Sequence, residues 1–263
     1  MKFASFPKFA LFSLLAGVFA LVLTGCGASN NLALTPGNWS MTATTGGTPT
    51  FYIGGNLTQS GTNLAGTMHV ANSLCYSPSQ TVAFTGTVKG SKVTLTSASV
   101  GGEVITVTAS GTAGSLTGTY SIAGGIGGCS SQTGTLTATP VPSISANWSG
   151  PITGSGGSNV TLAIAFTQAA TASADGTFAL TGNVTFTNSS CSVNGTVDSS
   201  FIAGPYLVVN GTTTEVDSSQ GTFTYTQVFL NNAATPTSMQ GTYSVTFGLC
   251  SGDPDTTPTF TKL

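Results

Sequence analysis

Charge is what this chain has least of. Its 263 residues carry only 5 basic and 7 acidic side chains. Every basic residue is lysine, so arginine is absent, and there is a single histidine, His69. A nucleic-acid partner is not expected, because neutralising phosphates takes a basic patch. Imidazole catalysis needs an orienting partner and a nucleophile, yet the first half of the chain offers one acid, Glu103. His69 is therefore expected to be a solvated residue on an outward strand position. Zinc-ligand spacings, a phosphate-binding glycine loop and a nucleophile elbow are also missing. No cofactor and no metal site is expected. Beyond the first residues no segment has a helical period, so α and α/β folds are not expected either.

What is present begins at the N-terminus. Lys2 and Lys8 precede an apolar run, Phe9 to Leu23, and Leu23-Thr24-Gly25-Cys26 closes it. The run is short for a transmembrane helix, which takes about 20 apolar residues, and has the layout of a secretory signal. Leu23-Thr24-Gly25-Cys26 resembles the lipobox of bacterial lipoproteins. That resemblance implies cleavage before Cys26, acylation of its thiol and new amino terminus by fatty acids of the palmitate kind, and a membrane tether. One acyl chain binds marginally and two or more hold stably. Residues 1–25 are then the signal peptide and 26–31 the lipidated N-terminus with a polar spacer. Gly27 stands where an aspartate tends to mark inner-membrane retention, which points to the outer membrane of a two-membrane envelope. The expected location is extracytoplasmic.

The cysteine count fits that compartment. Of five cysteines, Cys26 takes lipid and four remain to pair where disulfides persist. Four cysteines allow three pairings, and an internal repeat favours one of them. Asn38-Trp39-Ser40 recurs as Asn147-Trp148-Ser149, Leu57-Thr58-Gln59 as Phe166-Thr167-Gln168, and Gly86-Thr87-Val88 as Gly195-Thr196-Val197. Gly118-Thr119-Tyr120-Ser121 recurs letter for letter as Gly241-Thr242-Tyr243-Ser244. The chain is read as two homologous domains, 32–139 and 144–263, joined by a proline linker at 140–143. Each copy has one cysteine mid-domain (Cys75, Cys191) and one after its Gly-Thr-Tyr-Ser (Cys129, Cys250). Bridges kept within a copy are then Cys75–Cys129 and Cys191–Cys250.

Both copies alternate with period two. Val160, Leu162, Ile164 and Phe166 share one face, as do Phe178, Leu180, Val184 and Phe186. Such runs are half-buried strands. Val82, Phe84 and Val88 pair with Val93 and Leu95 across Lys89-Gly90-Ser91-Lys92, a hairpin signal. Glycine recurs on the inward face at Gly66, Gly86, Gly118, Gly182 and Gly241, as it does where a sheet coils tightly. The expected fold is all-β: two tandem antiparallel meanders, each a small eight-stranded up-and-down barrel, with immunoglobulin-like β-sandwiches as the alternative. Gly37-Asn38-Trp39 resembles the Gly-x-Trp signature of lipocalins, and Leu116-Thr117-Gly118-Thr119-Tyr120 is similar to avidin-type segments, both of the calycin superfold. The resemblance implies barrels. Ligand binding does not carry over, because Ala146 replaces the glycine in the second copy, no arginine is available for the lipocalin closing motif, and each copy has one tryptophan.

Acids gather in the second copy. Glu215-Val216-Asp217 is expected to place two carboxylates on one strand face, and Asp253-Pro254-Asp255 to form a loop after Cys250. Calcium needs six to eight oxygens and glycosidases add aromatic platforms; neither set is evident, and solubilising turns are the expected role. Trp39 and Trp148 are expected in the cores. The function expected is non-enzymatic: a lipid-anchored envelope protein with a binding or structural role toward a protein or glycan partner. The alternatives are a carrier of a small lipophilic ligand in the barrel interior and a hydrolase using the second-copy carboxylates. Oligomeric state is not legible.

Overall fold

A computed structural model describes residues 31–73, 75–76, 80–125, 132–153, 159–251 and 256–263. The signal segment with Cys26, and Cys129, Asp253 and Asp255, lie outside the described residues. Every regular element described is a strand, and no described helix is long and apolar enough to cross a membrane. The first eight strands are β1 (Gly37–Thr45), β2 (Thr48–Ser60), β3 (Asn63–Ala71), β4 (Thr81–Lys89), β5 (Lys92–Ser97), β6 (Val104–Thr112), β7 (Ser115–Ala123) and β8 (Gln132–Pro140). The second eight are β9 (Ala146–Thr153), β10 (Asn159–Gln168), β11 (Phe178–Thr187), β12 (Ser192–Ala203), β13 (Tyr206–Glu215), β14 (Gln220–Leu230), β15 (Ser238–Phe247) and β16 (Thr259–Lys262).

Each set is an antiparallel meander closed into a barrel, β1 pairing with β8 and β9 with β16. The barrel expectation holds and the sandwich alternative does not. Among the described residues closure gives every strand a neighbour on both sides, β16 meeting β9 only at Ser149 and Trp148, and so removes the free edge of an open sheet. The predicted hairpin is present, Lys89 opposite Lys92 and Val88 opposite Val93. The inward glycines have a steric cause. A side chain at Gly86 would run into the Thr94 carbonyl, and one at Gly182 into that of Ala165. The neighbouring strand crosses too closely there for any Cβ, which lets the sheet coil into so small a barrel.

The cores are built alike. Trp39 and Trp148 are fully buried, and each indole N–H donates to the carbonyl four residues earlier, Thr35 at 2.7 Å and Ile144 at 3.0 Å. The repeated glutamine serves the same end. The Gln59 side-chain oxygen accepts the Leu34 N–H at 2.8 Å, and that of Gln168 accepts the Ile144 N–H at 2.9 Å. Each barrel's entering chain is thereby pinned across its base, the end where it starts. Met41, Phe51, Ile53, Phe84 and Leu95 fill the first interior; Leu162, Phe223, Tyr225 and Phe260 fill the second. Burying each such side chain contributes about 1.5–3 kcal/mol.

The expected linker is short and tied down. Pro140 ends β8, the Val141 N–H donates to the Asn38 carbonyl at 2.7 Å, and Val141 is buried in the second core. The turns at the base of the second barrel then lie on the outer face of β1–β3. The Asn38 carboxamide clasps Gly204: its Oδ1 accepts the Gly204 N–H at 2.7 Å and its Nδ2 donates to the Gly204 carbonyl at 3.3 Å. The Asn56 N–H donates to the Gly176 carbonyl at 3.0 Å.

Candidate functional site

His69, expected in solvent, is 5 % exposed. It does point outward from the first barrel, but the second barrel covers it: its ring lies 5.5 Å from that of Phe201. Tyr52 meets Phe229 at 5.1 Å, and Tyr206 joins Phe201 and Phe229. Two bulges make this seam. Register shifts between Asp198 and Phe201 and between Thr226 and Phe229. Ser199 (φ 48°) and Gln227 (φ 53°) sit there in the left-handed region. Each bulge advances the alternation by one residue and turns a phenylalanine from the interior to the outside. Asp175 flanks the seam. Burial pulls its carboxyl up, but the amide and hydroxyl of Thr177, at 3.0 and 2.8 Å, together with nearby His69, hold it below its ordinary range.

The far end of each barrel carries a second shared arrangement. Asn72 and Asn188 adopt positive φ, 57° and 63°, as β3 and β11 finish. The following serine then caps the cysteine loop. Ser73 Oγ accepts the N–H groups of Cys75 and Tyr76 at 3.0 and 3.3 Å, and Ser189 Oγ those of Cys191 and Ser192 at 3.2 and 3.0 Å. Cys191 is bridged to Cys250 with Cα atoms 5.9 Å apart, as expected from the repeat. Cys75 is disulfide-bonded; its expected partner, Cys129, lies outside the described residues.

Beside each cysteine loop sits a buried glutamate. Ser192 Oγ donates toward both Glu215 oxygens, at 3.2 and 3.3 Å, and Thr213 Oγ1 donates to Oε1. In the first barrel Tyr76 packs beside Glu103; burial first, and then that carboxylate, push its phenol up to about 12. Side chains at Gly125 or Gly248, the fifth residue after Tyr120 and Tyr243 respectively, would crowd these carboxylates. Glu215 and Asp217 do not share a strand face. Glu215 ends β13 pointing inward, 2 % exposed, while Asp217 lies in the exposed turn, its carboxylate accepting the Ser219 N–H at 2.9 Å. Hydrogen bonding by Ser219 lowers the Asp217 pKa.

Among the described residues the exposed large apolar side chains are Val193, Val216, Phe247, Leu249 and the C-terminal Leu263. The first four flank the Cys191–Cys250 bridge. Val193 and Leu249 are within two residues of its cysteines, the Val216 N–H donates to the Cys191 carbonyl at 2.6 Å, and Phe247 (65 % exposed) ends β15. This patch stands at the end of the second barrel opposite the docked one. Polar hollows lie elsewhere, on outer strand faces. One of about 530 Å³ is lined by Thr106, Thr108, Thr119, Thr133 and Thr135; another of about 560 Å³ by Asn183, Thr185, Asn194, Thr196 and Thr212. Among the described residues no cluster of His, Cys, Asp and Glu could hold a metal.

Sequence reasoning found the Cys191–Cys250 bridge and missed the buried glutamates. Glu103 immediately precedes β6, bridged to Val100, whereas Glu215 closes β13, so the two are not aligned in the repeat although both reach the same end. The Asn-Ser-x-Cys match, residues 72–75 and 188–191, was available as a signal. Comparison with known proteins finds no matching family model, no matching curated protein and no matching solved structure.

Proposed function

We propose that the chain is a lipid-anchored protein of the bacterial envelope with a non-catalytic binding role. Its partner-facing surface is the disulfide-bearing end of the second barrel. The observation that carries this is the gathering of Val193, Val216, Phe247 and Leu249 around one bridge. Exposed apolar groups scattered singly are ordinary, but a contiguous set marks an interaction surface. A protein partner fits it best, since aliphatic and phenyl groups next to a rigid bridge suit an apolar recess. The separation of Glu215 from Asp217 favours binding over hydrolysis, and among the described residues buried side chains pack both barrel interiors. The Leu23–Cys26 segment and the odd cysteine support the anchor, and Gly27 supports the outer membrane.

The test places a photo-crosslinking amino acid at Leu249 in the full chain in intact cells. One discrete protein adduct is expected, lost in Phe247→Ser and retained with the same probe at Gly47. Adducts that are diffuse, or indifferent to Phe247→Ser, refute the assignment. The threonine-lined hollow favours a second reading, a neutral glycan held by hydroxyl groups; glycan binding abolished by Thr108→Val and Thr119→Val would support it.

A further inference from the structure

We infer that the base of the first barrel, formed by the β2–β3, β4–β5 and β6–β7 turns, rests on anionic phospholipid headgroups, with Lys89 and Lys92 as its contacts. The inference builds on the lipid anchor proposed above.

The way the chain enters fixes the geometry. The Leu32 N–H donates to the Gly90 carbonyl at 2.8 Å, inside the turn that Lys89 and Lys92 bracket. Gln59 Nε2 donates to the Leu32 carbonyl at 3.0 Å while its oxygen holds Leu34. The Thr35 N–H donates to the Ala113 carbonyl of the β6–β7 turn at 3.3 Å. The chain therefore leaves the barrel at a defined point beside the two lysines. From Leu32 back to Cys26 a fully extended connection reaches at most about 20 Å. A protein so tethered keeps its base near the bilayer surface.

Charge on the first domain is segregated to match. Its charged side chains are Lys89, Lys92 and Glu103. Both lysines are exposed at the base, and Glu103 is buried at the opposite end. The turns 60–63, 89–92 and 112–115 and the entering segment 31–36 contain no acid. Anionic lipid attracts each nearby lysine enough for roughly a fivefold preference. The attraction fades beyond a Debye length of about 8 Å at physiological salt, within which a short tether can hold the turn.

The test uses the full lipidated chain in vesicles of phosphatidylcholine with or without phosphatidylglycerol, carrying a gadolinium-chelate lipid. A nitroxide is attached at Ser91→Cys or, at the opposite end, at Gly47→Cys. Relaxation at position 91 is expected to exceed that at 47 severalfold on anionic vesicles. The difference should shrink with Lys89→Gln/Lys92→Gln, in neutral vesicles, or at high salt. Equal relaxation at both positions, or a preference indifferent to the lysines and to lipid charge, overturns the headgroup contact while leaving the anchor intact. Mass measurement and vesicle flotation report the anchor separately. A chain without acyl groups that does not float overturns both.

Discussion

Asn38 and Asn147 stand at the same place in the repeated Asn-Trp-Ser, yet the fold gives them opposite surroundings. Asn38 is 5 % exposed and clasps both backbone groups of Gly204, whereas Asn147 is exposed. Asn38→Ala removes two hydrogen bonds and leaves an N–H and a carbonyl of Gly204 without partners in the seam. A buried polar group stripped of its partner costs about 1–3 kcal/mol, so the two together should cost about 2–6 kcal/mol. At a urea slope of about 2–3 kcal/mol per molar, the midpoint should fall by about 1–2 M. Asn147→Ala should stay within about 0.5 kcal/mol of the parent, as surface substitutions do. Trp39 and Trp148 place one fluorophore in each core, so tryptophan emission follows both barrels. If the pair is a single cooperative unit, Asn38→Ala should also split the transition. Equal effects of the two substitutions, or a loss below about 0.5 kcal/mol for Asn38→Ala, would refute the seam as a coupling element.

Removing the second bridge with Cys191→Ser should destabilise the chain by about 4 kcal/mol on the chain-entropy model, its cysteines being 59 residues apart; thermal scans of parent and variant with and without reductant check this, and the reductant should matter little to the bridge-deleted barrel. Glu215→Ala leaves the Ser192 and Thr213 hydroxyls without their acceptor and should cost about 1–3 kcal/mol, while Glu215→Gln, which keeps an acceptor, should cost less; the reverse order in denaturant melts would remove the glutamate from its clamping role. Asp175 has a folded pKa below its unfolded value, so its contribution is complete above about pH 3.9 and is lost as pH falls further through the folded value. Protection of the Asn56 amide, which donates to Gly176, should hold steady down to about pH 4 and drop below it in hydrogen exchange. Asp175→Asn should abolish that drop, and constant protection in the parent would contradict the linkage.

The fold was legible because its signals are local or repeated. Period-two alternation located the strands, inward glycines pointed to tight coiling, and duplicated Trp and Tyr marked one plan used twice. The seam was not legible, because the bulges at Ser199 and Gln227 break the alternation that made the strands readable. Continued from Val197, the period sends residues 199 and 201 inward; continued from Tyr225, it sends 227 and 229 inward. The bulges instead turn Phe201 and Phe229 outward onto His69 and Tyr52. No single-strand pattern reports a surface that exists only because another domain lies on it, which is why His69 reads as solvated. Glu103 and Glu215 reach equivalent places from opposite sides of a turn, so an alignment of the copies passes over them. The apolar end of the second barrel was hidden for a related reason: Val193, Val216, Phe247 and Leu249 are ordinary residues in sequence, and their exposure follows from where strands stop.

The asymmetry between the copies bears on how work is divided between them. The pairings among β3, β4, β5, β6 and β7 run without a register shift, whereas their counterparts among β11 to β15 are shifted in every pair. Bulges distort the ladder and persist where they re-aim side chains. In the second barrel two of them place the aromatic groups that meet the first barrel. Both barrels keep the pinned tryptophan, the capped cysteine loop and the buried glutamate, which are properties of the fold. Among the described residues the second adds the bulges at Ser199 and Gln227 at one end and the exposed apolar cluster at the other. The positions shared by the copies, among those same residues, are structural. Among the described residues the two copies are therefore divided in structure: the first supplies the regular outer strand face of the seam, and the second supplies the bulged strands that meet it and an exposed apolar end.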